Sequence, residues 1–75
     1  MTDRKFDYRK LRGRIVEKYG TQGAFSKAVK LSENSVSRKI NGIKSFSRED
    51  ILRWCELLDI DRDDIGIYFF TQKVR

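Results

Sequence analysis

Glu33, Asn34, Ser37 and Arg38 bring a carboxylate, an amide, a hydroxyl and a guanidinium together within one short stretch of the chain. On a helix, the first two stand at its start and the other two one turn later, so all four can point outward. These groups suit hydrogen-bond recognition. Asparagine pairs bidentately with adenine N6/N7, a guanidinium pairs with guanine O6/N7 or with a phosphate, and a carboxylate accepts from cytosine N4. Glu33 has an equal alternative, capping its own helix or holding Arg38, because a carboxylate beside a polyanion is unfavourable unless paired. Catalysis is not expected. There is no histidine, no nucleophile and base pair and no Gly-rich phosphate loop, and a chain of 75 residues has little volume for a deep pocket. No catalytic residue, metal site or cofactor is expected, and the single cysteine excludes an intrachain disulfide.

The elements that must position these groups are two short helices and a tight turn between Thr21 and Gly42. Gly20 stops the preceding helix and Thr21 caps the next. Ala24, Phe25, Ala28 and Val29 then give helix 2 a small, apolar face. Lys30 and Leu31 form the break, and Lys30 stands where a non-Gly residue must take positive φ. Ser32 starts helix 3, which spans 32–40 with Val36 and Ile40 inward, and Asn41-Gly42 ends it. Gly23 in helix 2 costs about 1 kcal/mol relative to alanine if it is interior.

The spacing predicts three further helices. Asp7 is the expected N-cap of helix 1, over about Tyr8–Tyr19, with Tyr8, Leu11, Ile15, Val16 and Tyr19 inward. Residues 1–6 read as a mobile arm. A loop anchored by Ile43 and Phe46 leads to helix 4, where Ser47 and Asp50 form a capping box and Ile51, Trp54, Cys55 and Leu58 make the apolar stripe. Cys55 on that stripe reads as a core residue. Asp61 is expected to cap a short helix 5 running to about Ile67; a calcium loop there is disfavoured because Gln72 stands where a glutamate ligand is needed. Residues 68–75 form an aromatic tail. The expectation is an all-α bundle of about five short helices, one domain over 1–75, with a short extended C-terminal tail.

Charge is unevenly distributed. The net charge is +6, yet residues 1–48 hold 13 Lys/Arg against 4 Asp/Glu, whereas residues 49–64 hold 2 against 7. A basic side and an acidic side allow one to meet a polyanion while the other points away. No apolar run approaches the length of a membrane span and no signal segment stands out, so a cytoplasmic location is expected, without a membrane partner.

Thr21-Gln22, Phe25-Ser26, Val29, Leu31-Ser32, Val36-Ser37-Arg38 and Asn41-Gly42 resemble the helix-turn-helix of the lambda-repressor-like family. The head, Phe6-Asp7-Tyr8 with Lys10-Leu11, and the tail, Ile65-Gly66, Tyr68-Phe69-Phe70 and Lys73-Val74, are similar to small Cro-type regulators of phages of Gram-positive bacteria. The resemblance implies a regulator in a bacterial host that binds operator DNA, with Glu33, Asn34, Ser37 and Arg38 as base readers in the major groove. Gln22, with Thr21 beside it, is implied as a phosphate contact at the start of helix 2. Asn41 and Lys44 would hold the backbone on the other side of the groove, and Lys10 would add a contact from helix 1. Three successive aromatics are hard to bury in a small domain, so Tyr68, Phe69, Phe70 and Val74 are expected at a homodimer contact matching an inverted-repeat operator. The competing reading is an antirepressor or interaction module that binds another phage repressor through apolar surface.

Overall fold

The computed structural model describes residues 6–71, and among them all regular structure is helical apart from a single β-bridge at Phe6. The order is α1 (Arg9–Tyr19), α2 (Gln22–Val29), α3 (Glu33–Ile40), α4 (Arg48–Leu58), a 3-10 turn (Arg62–Asp64) and α5 (Ile65–Phe69). The expected all-α bundle of five short helices is observed. Among the described residues no helix is long and apolar enough to cross a membrane.

Side-chain caps define the helix starts. Thr21 Oγ1 accepts from the Ala24 N–H at 3.1 Å, and Ser32 Oγ accepts from the Ser35 N–H at 3.1 Å. In α4 the capping box is complete. Ser47 Oγ accepts from the Asp50 N–H at 3.1 Å while Asp50 Oδ2 accepts from the Ser47 N–H at 3.0 Å. Helix α1 begins one residue later than expected, with Tyr8 at the cap position. Asp7 still serves this end, because its carboxylate accepts from the Arg9 N–H at 2.9 Å and pairs with the Arg9 guanidinium at 2.7 Å.

The turn between α2 and α3 is made by Lys30 at φ 62°. Left-handed backbone brings Cβ close to the following carbonyl, a cost of about 1–2 kcal/mol that glycine escapes. Lys30→Gly is therefore expected to stabilise the fold by about 0.5–1 kcal/mol, since part of the gain is offset by the greater freedom of an unfolded glycine. The shift of the urea midpoint measures it.

The core is built from Leu11 and Ile15 of α1, Phe25 and Val29 of α2, Val36 and Ile40 of α3, Trp54, Cys55 and Leu58 of α4, then Ile60 and Phe69. Trp54 sits at its centre. Phe25 and Phe46 both approach it edge-on with centroids at 4.8 Å, and Phe46 meets Phe69 in the same way at 5.1 Å. Ser26 is buried with them and donates its hydroxyl to the Gly23 carbonyl at 2.7 Å, so it packs without leaving a polar group unpaired. Burial raises the Cys55 thiol pKa, in keeping with a core cysteine rather than a nucleophile.

Several expectations are corrected. Val16 and Ile43 are half-exposed rather than inward. Asp61 makes no side-chain cap bond, and α5 continues through Phe69 after the 3-10 turn. The aromatic run thus starts inside a helix, which turns its members to different sides: Phe69 enters the core while Phe70 faces outward.

Candidate functional site

Two surfaces meet at the C-terminal end of α3. The first is the outer side of the α2–α3 pair. Asn34 and Arg38 are exposed on α3, and among the described residues neither side chain forms a hydrogen bond or ion pair within the fold. Ser37 is half-buried and accepts from Asn41 Nδ2 at 3.2 Å. Asn41 Oδ1 in turn accepts from the Arg12 guanidinium at 2.9 Å, a bridge that sets the end of α3 against α1. Thr21 and Gln22 open α2, with Thr21 occupied as a cap. Lys44 is exposed in the α3–α4 loop, and Lys10 lies over the Tyr68 ring at 5.9 Å, a cation–π distance. The structure therefore gathers Gln22, Thr21, Glu33, Asn34, Ser37 and Arg38 on the helix pair and leaves Lys10 attached to α5.

Glu33 takes neither intramolecular role expected of it. The cap of α3 is Ser32, and no ion pair joins Glu33 to Arg38. Its carboxylate instead leans back across the turn onto Gly23, where an added Cβ would stand 3.0 Å from Glu33 Oε1.

Other basic residues of α1 are committed to structure. Arg14 donates to the Leu58 carbonyl at 2.8 Å and the Asp59 carbonyl at 3.0 Å, which satisfies the open end of α4, and it pairs with Glu17 at 2.7 Å. Lys18 reaches the Asp59 carboxylate at 3.4 Å.

The second surface is an apolar groove of about 430 Å³ lined by Phe6, Tyr8, Ile43, Phe46, Ile51 and Phe70, with Lys44 and Ser45 at the α3–α4 loop and Phe69 at its base. The loop that forms one wall is fastened to α3. The Arg38 carbonyl accepts from both Ile43 N–H at 2.9 Å and Lys44 N–H at 3.2 Å. Lys39, whose side chain is only 6% exposed, donates to the Ser45 carbonyl at 3.0 Å and to Asp50 Oδ2 at 2.7 Å. The opposite wall is tied down where the Asp7 N–H donates to the Thr71 carbonyl at 2.7 Å and Phe6 packs edge-on to Phe70 at 5.6 Å.

Of the residues expected at a dimer contact, Phe69 is excluded because it is 1% exposed and filled in by Phe46. Tyr68 is half-buried, Phe70 is 49% exposed, and Val74 lies outside the described residues. The sequence reading missed Lys39. A lysine four residues after Ser35 on a polar helix reads as solvated, and only the fold of the following loop over it shows that the charge is buried.

With the geometry established, comparison with known proteins assigns the chain. The profile of the family described as "Protein of unknown function (DUF739)" matches residues 4–72. The chain belongs to this family. It is similar to the solution structure of the modulator of repression (MOR) of the temperate bacteriophage TP901-1 from Lactococcus lactis, with 41% identity, a TM-score of 0.79, and coverage of 95% of this chain and 96% of that one. A search of curated protein sequences gives no match. The expected membership of the lambda-repressor-like family, as a Cro-type regulator, is overturned by this result. Phe25, Val29, Leu31, Val36 and Ile40 report how two short helices pack across a turn, a requirement common to unrelated helix-turn-helix chains. Family membership is instead carried by nearly the full length, including the groove-forming ends.

Proposed function

We propose that the chain is a phage regulatory protein that acts by binding another regulator, a repressor, and that the groove takes an apolar side chain of that partner. The observation that carries this reading is the similarity, over 95% of the chain, to the modulator of repression of bacteriophage TP901-1. The groove supports it. Ile43 at 51% exposure and Phe70 at 49% are large apolar groups left at the edge of a cleft, where burial against a partner repays about 25 cal/mol per Å². Lys44 at the rim favours a partner segment with an acidic residue beside its anchor. No reaction is proposed, and the place of action is the cytoplasm of the bacterial host.

The test is a titration of the purified chain against a repressor of the same phage. Ile43→Asp and Phe70→Asp are each expected to weaken binding by about tenfold or more, as truncation of a central apolar contact does, while costing about 1–2 kcal/mol of stability, since both side chains are half-covered and Phe70 packs on Phe6. Unchanged affinity in both variants rejects the groove as the contact.

A second reading, operator binding by α3, is favoured by Asn34 and Arg38, which stand exposed and unengaged on a capped helix. Under it, a symmetric pair of copies would read an inverted repeat. Selection of bound sequences from random duplexes separates the readings: a palindrome supports operator binding, and no enrichment removes it.

A further inference from the structure

We infer that Glu33 is a specificity determinant that sets the α2–α3 surface against duplex DNA, a deepening that rests on the reading of the chain as a regulator-binding protein. Glu33 is the first residue of α3 and is exposed, and its carboxylate rests on Gly23 in the first turn of α2. The place is unusual for an acidic group. Between Glu17 and Glu49 the chain has 7 Lys/Arg, and Glu33 is the single carboxylate among them. Among the described residues no basic side chain pairs with it, since the ion pairs join Arg9 to Asp7, Arg14 to Glu17, Lys18 to Asp59 and Lys39 to Asp50.

A helix pair of this form meets DNA through the start of its first helix and the exposed side of its second. Here Thr21, Gln22, Asn34 and Ser37 occupy those positions, and the Glu33 carboxylate lies on Gly23, the residue after Gln22 in the first turn of α2. It is held there by short reach: Gly23 has no Cβ to push it away, and the positive end of α2 attracts negative charge. A fixed negative charge at this point repels each phosphate brought toward it, and the repulsion is felt most at low salt. The seven basic residues around it make the segment look like a polyanion site by count, while the position of the one acidic residue works against that use.

The test is a titration of the wild-type chain, Glu33→Gln and Asp61→Asn with a random-sequence duplex at several salt concentrations, with no partner protein present. Glu33→Gln is expected to tighten DNA binding by about three- to tenfold and to steepen its salt dependence, as removal of one close like charge does. Asp61→Asn removes the same charge from the acidic connector, where Asp61 is exposed and makes no cap bond, and is expected to change affinity by less than about twofold. Unchanged or weaker DNA binding by Glu33→Gln overturns the inference, and so does an equal gain in Asp61→Asn, which would show an effect of net charge alone. Because the partner is absent, these outcomes are independent of whether the repressor titration succeeds. Glu33→Gln leaves the Ser32 cap and the core untouched, and its stability should fall by no more than about 0.3–1 kcal/mol, the contribution of a carboxylate at a helix N-terminus.

Discussion

Trp54→Ala is expected to be among the most destabilising single substitutions in the domain, removing about 3–5 kcal/mol. The side chain is fully buried and holds the edges of both Phe25 and Phe46, each with its ring centroid at 4.8 Å. Truncating a buried aromatic to alanine costs about 3–5 kcal/mol, the lost transfer free energy plus the cavity left behind. A chain of this length has only about 4–11 kcal/mol of stability in total. The loss would fall on the groove as well, because Phe46 is packed between Trp54 and Phe69 and forms part of the groove wall. Far-UV circular dichroism with urea titration measures the effect. Trp54→Phe should be much milder, about 1–2 kcal/mol. It keeps a ring against Phe25 and Phe46, and it removes the indole Nε1–H, the one buried side-chain nitrogen or oxygen among the described residues that has no hydrogen-bond partner. A Trp54→Phe loss as large as that of Trp54→Ala would contradict this account.

The second large effect is expected at the Lys39–Asp50 pair, and it is asymmetric. Asp50→Ala removes the acceptor of the Lys39 ammonium at 2.7 Å and the acceptor of the Ser47 N–H, leaving a lysine side chain that is 6% exposed with only the Ser45 carbonyl. Breaking a buried pair from this side, together with loss of a capping box, is expected to cost about 3–4 kcal/mol. Lys39→Met is expected to cost about 1 kcal/mol, because methionine fills the lysine stem's place and the freed Asp50, 28% exposed, can turn to water. Both variants loosen the α3–α4 loop, so both should also weaken groove binding.

The same pair gives a pH signature. Burial pushes the Asp50 carboxyl up, but hydrogen bonds from Lys39 and from Ser47 outweigh it and hold the group below the ordinary value of 3.8. A carboxylate with a depressed folded pKa contributes stability that is complete above its unfolded value and is lost as pH falls through the folded one. Wild-type stability should therefore fall faster than that of Asp50→Asn as pH is lowered below about 4, measured by urea midpoints across that range. Parallel curves would show that Asp50 is not the group responsible.

How much could be read in advance follows from the range of each signal. Thr21, Ser32 and the Ser47–Asp50 box were legible because a cap is settled within four residues. Lys30 at positive φ was legible for the same reason: the apolar spacing on either side leaves the turn too few residues for any other path. The core positions Leu11, Ile15, Phe25, Val36, Trp54 and Leu58 were equally visible, since helical periodicity reports the buried side directly. Periodicity did not place Val16, Ile43 or Phe69, which lie where a helix borders a loop or its own end and where the neighbour decides which side is inward.

By itself, the sequence determined the existence of the helices, the caps of α2, α3 and α4, the central core and the uneven charge, all consequences of local spacing and of solvent-driven burial. The tertiary structure alone decided what those parts present. It folded the α3–α4 loop over Lys39 and turned a surface charge into a clasp, because an ammonium with two acceptors in reach can be buried. It divided the aromatic run between core and groove by extending α5 to Phe69. It also set the Glu33 carboxylate on Gly23, because the turn at Lys30 brings the start of α3 back beside the start of α2, a proximity that ten intervening residues conceal until the two helices are packed.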